Sequence, residues 1–379
     1  MNRQKRSRII RYLILTLVAL PFLHRIVDFL PESFEIPLRK GLWVLGGFCI
    51  ILLGLFLGVQ IIQNFHYERA FVPKKLRLPI PPTLMDFKIM NPLERPGSYH
   101  KAQLHVHTNR SFDSHTSPEE VIASYVRDGY HFVAITDHDR YSDMSYLSRS
   151  DCLVVSGIEV TIPALFWPIP LGKHLVVLNP PPNLSPWLKP QDWIDRVDQS
   201  GGVVIPAHLN WRGGAGTGRW FPDKLLILKK LRLVEINNPH SDDPIDFVIW
   251  HKLILKAGPE SPVWGVAVDD SHSGSCRKGW IMVKTEAIER QAFIAALKAG
   301  AFYATTGPMM EIAVTGREIR VNTADGAWIR FFNAQNQAVG VFRSDEAVYA
   351  CHGDEGFVRV EVTNPSGIAW SQPFWLVKI

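Results

Sequence analysis

The chain has 379 residues, enough for two or three domains. It carries 41 Lys and Arg against 36 Asp and Glu, a formal charge of +5, with 46% hydrophobic residues. These values exclude a disordered chain, which needs low hydrophobicity and high net charge, and a many-span transporter, which is far more apolar; 27 Gly and 27 Pro without a triplet period exclude collagen.

The N-terminus is basic. Arg3, Lys5, Arg6, Arg8 and Arg11 precede an apolar stretch, Tyr12 to Leu23, which predicts a first membrane helix over about 9–30. A signal peptide fits less well, because no small-residue cleavage site comes after it. Leu42 to Ile62 is an uncharged run of 21 residues, long enough as a helix to cross a hydrocarbon core of ~30 Å. Two spans put the basic N-terminus on the same side as Arg69, Lys74, Lys75 and Arg77, which the positive-inside rule makes the cytoplasm. The expectation is an integral membrane protein with its catalytic part on that side; a single span would reverse it. Without the five basic residues of 1–11, 36 of each sign remain, so the excess charge reads as a topology signal and not as nucleic-acid binding. Residues 67–99 hold Pro73, Pro79, Pro81, Pro82, Pro92 and Pro96 and read as a stiff linker between the anchor (1–66) and the catalytic part.

From residue 100 to about 310, strands and helices alternate. Strands are predicted at Ala102–His107, Phe132–Thr136, Leu153–Ser156, His174–Leu178, Val203–Pro206, Leu233–Ile236, Val263–Val268 and Trp280–Val283. Helices are predicted after the capping box Ser117-Pro118-Glu119-Glu120, then at Gln191–Gln199, Phe221–Lys230, Pro244–Ala257 and Glu286–Lys298. Alternation of this kind predicts parallel β-α units and a barrel of about seven strands. Residues 311–379 change to alternating segments such as Trp328–Phe332 and Val358–Val362, which predicts a small β-sandwich. Cys49, Cys152, Cys276 and Cys351 lie far apart and indicate neither disulfides nor a cysteine zinc site.

The chemistry gathers at strand ends. His105 and His107 flank Val106, so both rings leave on one side. Asp113 follows in a polar loop, and His138, Glu159, His174, His208, Asp270 and His272 come later, each at the edge of a predicted strand. In a parallel barrel such ends converge on the face that carries active sites. Six imidazoles and three carboxylates cannot share a pocket without cations, and mixed nitrogen and oxygen donors suit Zn, Mn or Fe. Other histidines, His240 among them, read as ordinary surface or core residues. Asp137 and Asp139 are equally open as supports for the ligands or as turn caps. The loop from Trp211 to Arg219 is rich in glycine, which predicts mobility; Arg212, Arg219, Lys173 and Arg277 are candidate anion contacts.

The stretches His105-Val106-His107-Thr108, Ala134 to Asp139, Gly157-Ile158-Glu159, Pro206-Ala207-His208 and Asp270-Ser271-His272 resemble the PHP (polymerase and histidinol phosphatase) superfamily over about residues 100–310. Ala295 to Gly300, Thr306-Gly307-Pro308 and the β-rich end are similar to its CehA/McbA branch. The resemblance implies a distorted seven-stranded β/α barrel with two or three metal ions and a metal-bridging hydroxide. It implies hydrolysis of a small-molecule phosphoester or, alternatively, of an amide, carbamate or carboxyl ester. It places one ion on His105, His107 and Asp270, bridged by Glu159 to a second on His174 and His208. A third falls to Asp113, His138 and His272, and Glu159, Asp270 and His272 are the implied catalytic residues. Phe112 is inserted before Asp113, so nearby His115 competes with Asp113 as the ligand.

Overall fold

The structure is a computed structural model that describes residues 81–162, 172–182, 184–185, 187–213, 218–241 and 243–379, with scattered positions between 46 and 62. Its first half runs β1 (Phe87–Met90), β2 (Ser98–Gln103), α1 (Pro118–Arg127), β3 (Phe132–Ile135), β4 (Leu153–Ile162) and β5 (Lys173–Leu178). Next come α2 (Pro190–Gln199), β6 (Val203–Pro206), α3 (Pro222–Leu226), β7 (Leu233–Asn237), α4 (Asp243–Ala257), β8 (Trp264–Ala267), β9 (Trp280–Thr285), α5 (Arg290–Ala299) and β10 (Phe302–Thr305). The remaining elements are strands: β11 (Glu311–Thr315), β12 (Glu318–Asn322), β13 (Trp328–Phe332), β14 (Ala338–Arg343), β15 (Glu346–Ala350), β16 (Phe357–Asn364), β17 (Gly367–Trp370) and β18 (Phe374–Lys378).

Local chemistry accounts for these elements. The Ser117 hydroxyl accepts the Glu120 N–H, and the Glu120 carboxylate accepts the Ser117 N–H, so the capping box starts α1 with Pro118 in its first turn. Every residue of β3 (Phe-Val-Ala-Ile) is buried, as a strand covered on both faces requires. In β12, burial alternates, with Ile319 and Val321 inside and charged neighbours outside.

The strands do not close into the expected seven-stranded parallel barrel. β2, β3 and β4 pair in parallel, and so do β7 and β8 in a sheet of their own. β5 runs antiparallel to β4 and to β6, and β9 runs antiparallel to β2 and β10. The β4–β5 reversal has a local cause: the link from Ile162 to Lys173 is shorter than the dozen or more residues a parallel crossover takes. The reversal also brings the start of β5 beside the end of β4, with His174 opposite Thr161. His174, near the start of its strand, thereby arrives at the edge where the other ligand candidates end theirs.

Nor do residues 311–379 form a separate sandwich. β10 pairs with β17, which pairs with β16, so the C-terminal strands extend the same 13-stranded sheet as far as β18 and β1. One apolar cluster spans both halves, with Tyr125, Val133 and Met282 beside Ile319, Phe331 and Val360. Fully buried Arg359 on β16 lies over the rings of Phe247 and Trp250 on α4 and donates to Asn336. An amphipathic strand set buries its apolar face on whatever neighbour offers one; here that is the α/β half.

Among the described residues no helix is long and apolar enough to cross a membrane. The 15 residues of α4 rise about 22 Å against a hydrocarbon core of ~30 Å. This overturns the expectation of an integral membrane protein with transmembrane helices and a catalytic part on the cytoplasmic side. The runs read as spans, 9–30 and 42–62, lie outside the described residues except for scattered positions of the second.

Candidate metal centre

The cluster is built by loops leaving the strand ends. Beyond β2 the chain stays extended, and Val106 forms a parallel bridge with Ser271, so the loop after β2 meets the loop after β8. The His107 N–H donates to the Ser271 carbonyl at 2.8 Å. A second bridge joins His138, after β3, to Glu159 on β4. His208 and Asp270 sit at φ 29° and 44°, in the left-handed region that costs a non-glycine residue of order 1–3 kcal/mol unless its surroundings enforce it.

Glu159 is the hub. It is 1% exposed, and five imidazoles surround its carboxylate. His105, His107 and His138 lie 3.2, 3.3 and 3.0 Å from Oε2; His174 and His208 lie 2.9 and 3.0 Å from Oε1. Asp270 Oδ1 is 3.3 Å from Nε2 of both His105 and His107. At the outer side, Asp113 Oδ2 is 3.3 Å from Nε2 of both His138 and His272. The structure thus brings all nine expected ligands into one cluster, Asp113 included despite the inserted Phe112, whereas His115 is exposed.

The donor set fits cations. Nε2 of His105 and His107 face each other at 3.1 Å. His105 Nδ1 is 2.8 Å from the Glu235 carboxylate, to which its N–H donates. His107 Nδ1 is 3.0 Å from the Ser111 hydroxyl, whose own proton goes to Asp137 at 2.9 Å, so this Nδ1 also donates. With both Nδ1 atoms protonated in this network, two Nε2 lone pairs point at one another. They repel unless a proton or a metal ion lies between them.

Charge points the same way. Burial alone would raise the Glu159 carboxyl, but His105, His174 and His138 hold it well below the usual range. Burial opposes a charge on His105, yet Asp270, Glu159 and Glu235 together raise it well above the ordinary imidazole value. His138 is pushed up to about 10, with Glu159 and Asp113 outweighing burial. Without metal, these two rings keep protons at neutral pH, and an ion must displace them. Metal affinity is therefore expected to rise with pH, about tenfold per unit for each proton displaced, between about pH 6 and 9. Competition against a chelating dye measures it, and a flat profile would overturn it.

Several contributors are not apparent in sequence. Glu235, 0% exposed on β7, accepts from His105, from the His208 N–H at 2.6 Å and from Asn238 Nδ2 at 2.8 Å. Asn238 also donates to Asp270 Oδ2 at 3.0 Å. Their one signal was a lone carboxylate inside the apolar strand Leu233-Val234-Glu235-Ile236-Asn237. His240 Nε2 lies 3.3 Å from the Asp270 carbonyl, at the exposed rim. The two open aspartates divide: Asp137 supports His107 through Ser111, whereas Asp139 caps the Thr161 N–H and hydroxyl.

The expected anion contacts differ in their surroundings. Arg277 pairs with Asp128. Lys173 Nζ lies 5.7 Å from the Phe221 ring centre, Arg219 is 1% exposed, and Arg212 is half-buried.

Residues 103–166 match the family described as PHP domain, a stretch that includes His105, His107, Asp113, His138 and Glu159. No curated protein matches the chain. Among solved structures, a two-domain protein from Bacteroides vulgatus containing a predicted PHP-like metal-dependent phosphoesterase is 14% identical, covers 81% of this chain and 100% of its own, and has a TM-score of 0.42. An amidohydrolase from Chromobacterium violaceum, with bound sulfate and no metal, is 15% identical, covers 45% of this chain and 87% of its own, and scores 0.33. The PHP-domain match holds five of the nine clustered imidazoles and carboxylates, and the chain is accordingly a metal-dependent hydrolase.

Proposed function

We propose that the chain is a phosphoesterase of the CehA/McbA-like PHP branch that acts on a small-molecule substrate with two or three ions of Zn, Mn or Fe. The observation that carries the multi-ion reading is the Glu159 carboxylate, which presents one oxygen to His105, His107 and His138 and the other to His174 and His208. Such a carboxylate suits a bridge. His105, His107 and Asp270 would hold one ion, His174 and His208 a second, and Asp113, His138 and His272 a third. Bound ions supply Lewis acidity towards a phosphoryl oxygen and lower the pKa of a coordinated water to about 7.

The chain's own residues set the rest. Glu235 and Ser111 hold the Nδ1 protons of His105 and His107, which leaves both Nε2 atoms free to ligate. Asn238 orients Asp270 by donating to Oδ2. Where two ions suffice, His272 is left beside Asp113; burial opposes its charge, but the hydrogen bond to Asp113 and the nearby Asp270 raise its pKa above the ordinary imidazole value, which makes it a candidate acid for the leaving oxygen. The motif run from Ala295 through Pro308 supports the branch reading.

The protein loaded with each metal in turn is expected to hydrolyse an aryl phosphate faster than the matched aryl carbamate, and a chelator is expected to abolish the activity. A faster carbamate reaction would replace phosphoester by carbamate as the substrate class. Undiminished turnover after complete metal removal would overturn the metal mechanism.

A further inference from the structure

Two aromatic side chains flank the cluster, and neither has a place among its ligands. Phe112 lies between Ser111, which accepts the His138 N–H at 3.0 Å, and Asp113, which faces His138 and His272. The phenyl ring lies beside that of His138, with centroids 5.4 Å apart and planes inclined by 30°. Yet Phe112 is 63% exposed, so its other face is open. That open face is unused by the fold and lies beside the cluster.

Trp211 stands at the other end. Its ring is 5.1 Å from that of His174 and 4.8 Å from that of His208, and its backbone N–H donates to the His208 carbonyl. A Cβ at residue 218 would sit 2.4 Å from an atom of this indole, so Gly218 is the residue that makes room for it. Gly218 thus has a steric task within the glycine-rich loop, whose residues 214–217 lie outside the described residues. His138 and His174, the two imidazoles that carry these aromatic neighbours, are themselves 5.2 Å apart and share Glu159. Phe112 and Trp211 therefore bracket the candidate ion group His138, Glu159 and His174. Meanwhile Arg277 is engaged with Asp128 and Arg219 is buried.

We propose that Phe112 and Trp211 are specificity residues that form a subsite for a planar apolar group, so that the substrate class is an ester carrying an aromatic substituent at the scissile phosphorus. This rests on the phosphoesterase reading. The substituent would meet ring faces, where offset stacking and apolar contact recognise it, while charge on the ester is met by the metal centre. A methyl substituent is too small to cover either ring face.

The test uses the full chain loaded with metal. Phenylphosphonate and methylphosphonate report binding by calorimetry, and phenyl and methyl phosphate report kcat/KM. Phe112→Ala and Trp211→Ala are each expected to lower the phenyl-over-methyl ratio about tenfold, the size of effect expected for a lost apolar contact in a pocket. Dividing each variant's ratio by that of the wild type cancels the intrinsic reactivity of the two leaving groups. Trp211→Phe keeps a ring face and is expected to restore most of the preference, a result that a merely structural role for residue 211 would not give. Unchanged ratios in both alanine variants, or equal binding of the two phosphonates by the wild type, would overturn the subsite while leaving the hydrolase intact. Failure of the metal-loaded wild type to bind either phosphonate or to hydrolyse either ester would overturn the phosphoesterase reading, and this proposal with it.

Discussion

Glu159→Gln is expected to lower bound metal by at least one ion per chain and to take hydrolysis to background. The substitution keeps the shape of the side chain and removes its charge, so the effect isolates electrostatics from packing. Five imidazoles converge on this carboxylate in a site that is 1% exposed. A neutral amide offers one acceptor where two oxygens now serve both sides, and its N–H₂ would point at ring nitrogens that are needed as lone pairs. Losing an outer partner of a metal ligand costs about 10–100-fold in affinity, and losing the shared carboxylate is expected to cost more. The metal-free protein gives a second reading of the same change. Glu159 is a main cause of the raised His105 and His138, so without it both rings are expected to lose their protons at lower pH. Elemental analysis, turnover of an aryl phosphate and titration of the imidazole resonances report the three effects. A variant with full metal content and full activity would remove Glu159 from the centre of the mechanism.

How much of the molecule the chain discloses depends on how local each signal is. The capping box before α1 is a contact between residues three apart, and it forms as the sequence predicts. The apolar runs of β3 and β6 announce buried strands. The ligand candidates are legible because His-x-His and Asp-Ser-His spacing is local, and because strand ends are where an α/β sheet presents its chemistry. Strand direction is a different matter. Nothing within β5 tells whether it runs with or against β4; the short link before it is the available sign, and alternating strands and helices override it. The merging of the C-terminal strands into the main sheet depends on pairs such as Ala304 with Trp370, far apart in sequence. Local periodicity shows that such strands exist and says little about their partners.

The hidden parts of the centre are hidden for the same cause. A ligand is recognisable by type and spacing, whereas a group that orients a ligand is defined by contact alone. Ser111 has the look of an ordinary loop serine, although it joins Asp137 to His107. Gly218 has the look of a flexible joint, although its missing Cβ admits the Trp211 ring. Glu235 reaches His105 across 130 positions of sequence, and no motif links the two.

Glu235→Gln is accordingly the sharper test of how the ligands are held. The carboxylate takes the His105 Nδ1 proton on Oε1 and the His208 N–H and Asn238 amide on Oε2. Through Asn238 it also acts on Asp270, so one buried side chain orients three candidate ligands. In the glutamine variant only one oxygen remains, and the two donors at Oε2 compete for it with the donor at Oε1. If the oxygen stays with His208, the amide N–H₂ faces His105 Nδ1, which must then become the acceptor. The ring proton moves to Nε2, and the lone pair that faces the ion is lost. Metal affinity is expected to fall about 10–100-fold, the range found when the outer partner of a ligating imidazole is removed. Glu235→Ala is expected to fall further, because it also leaves the His208 N–H, at a residue held at φ 29°, without its acceptor. A defect confined to folding would lower the melting temperature of the metal-free variant and leave affinity per folded molecule unchanged. Chelator competition on the folded fraction separates the two, and wild-type affinity in Glu235→Gln would show that His105 needs no such anchor.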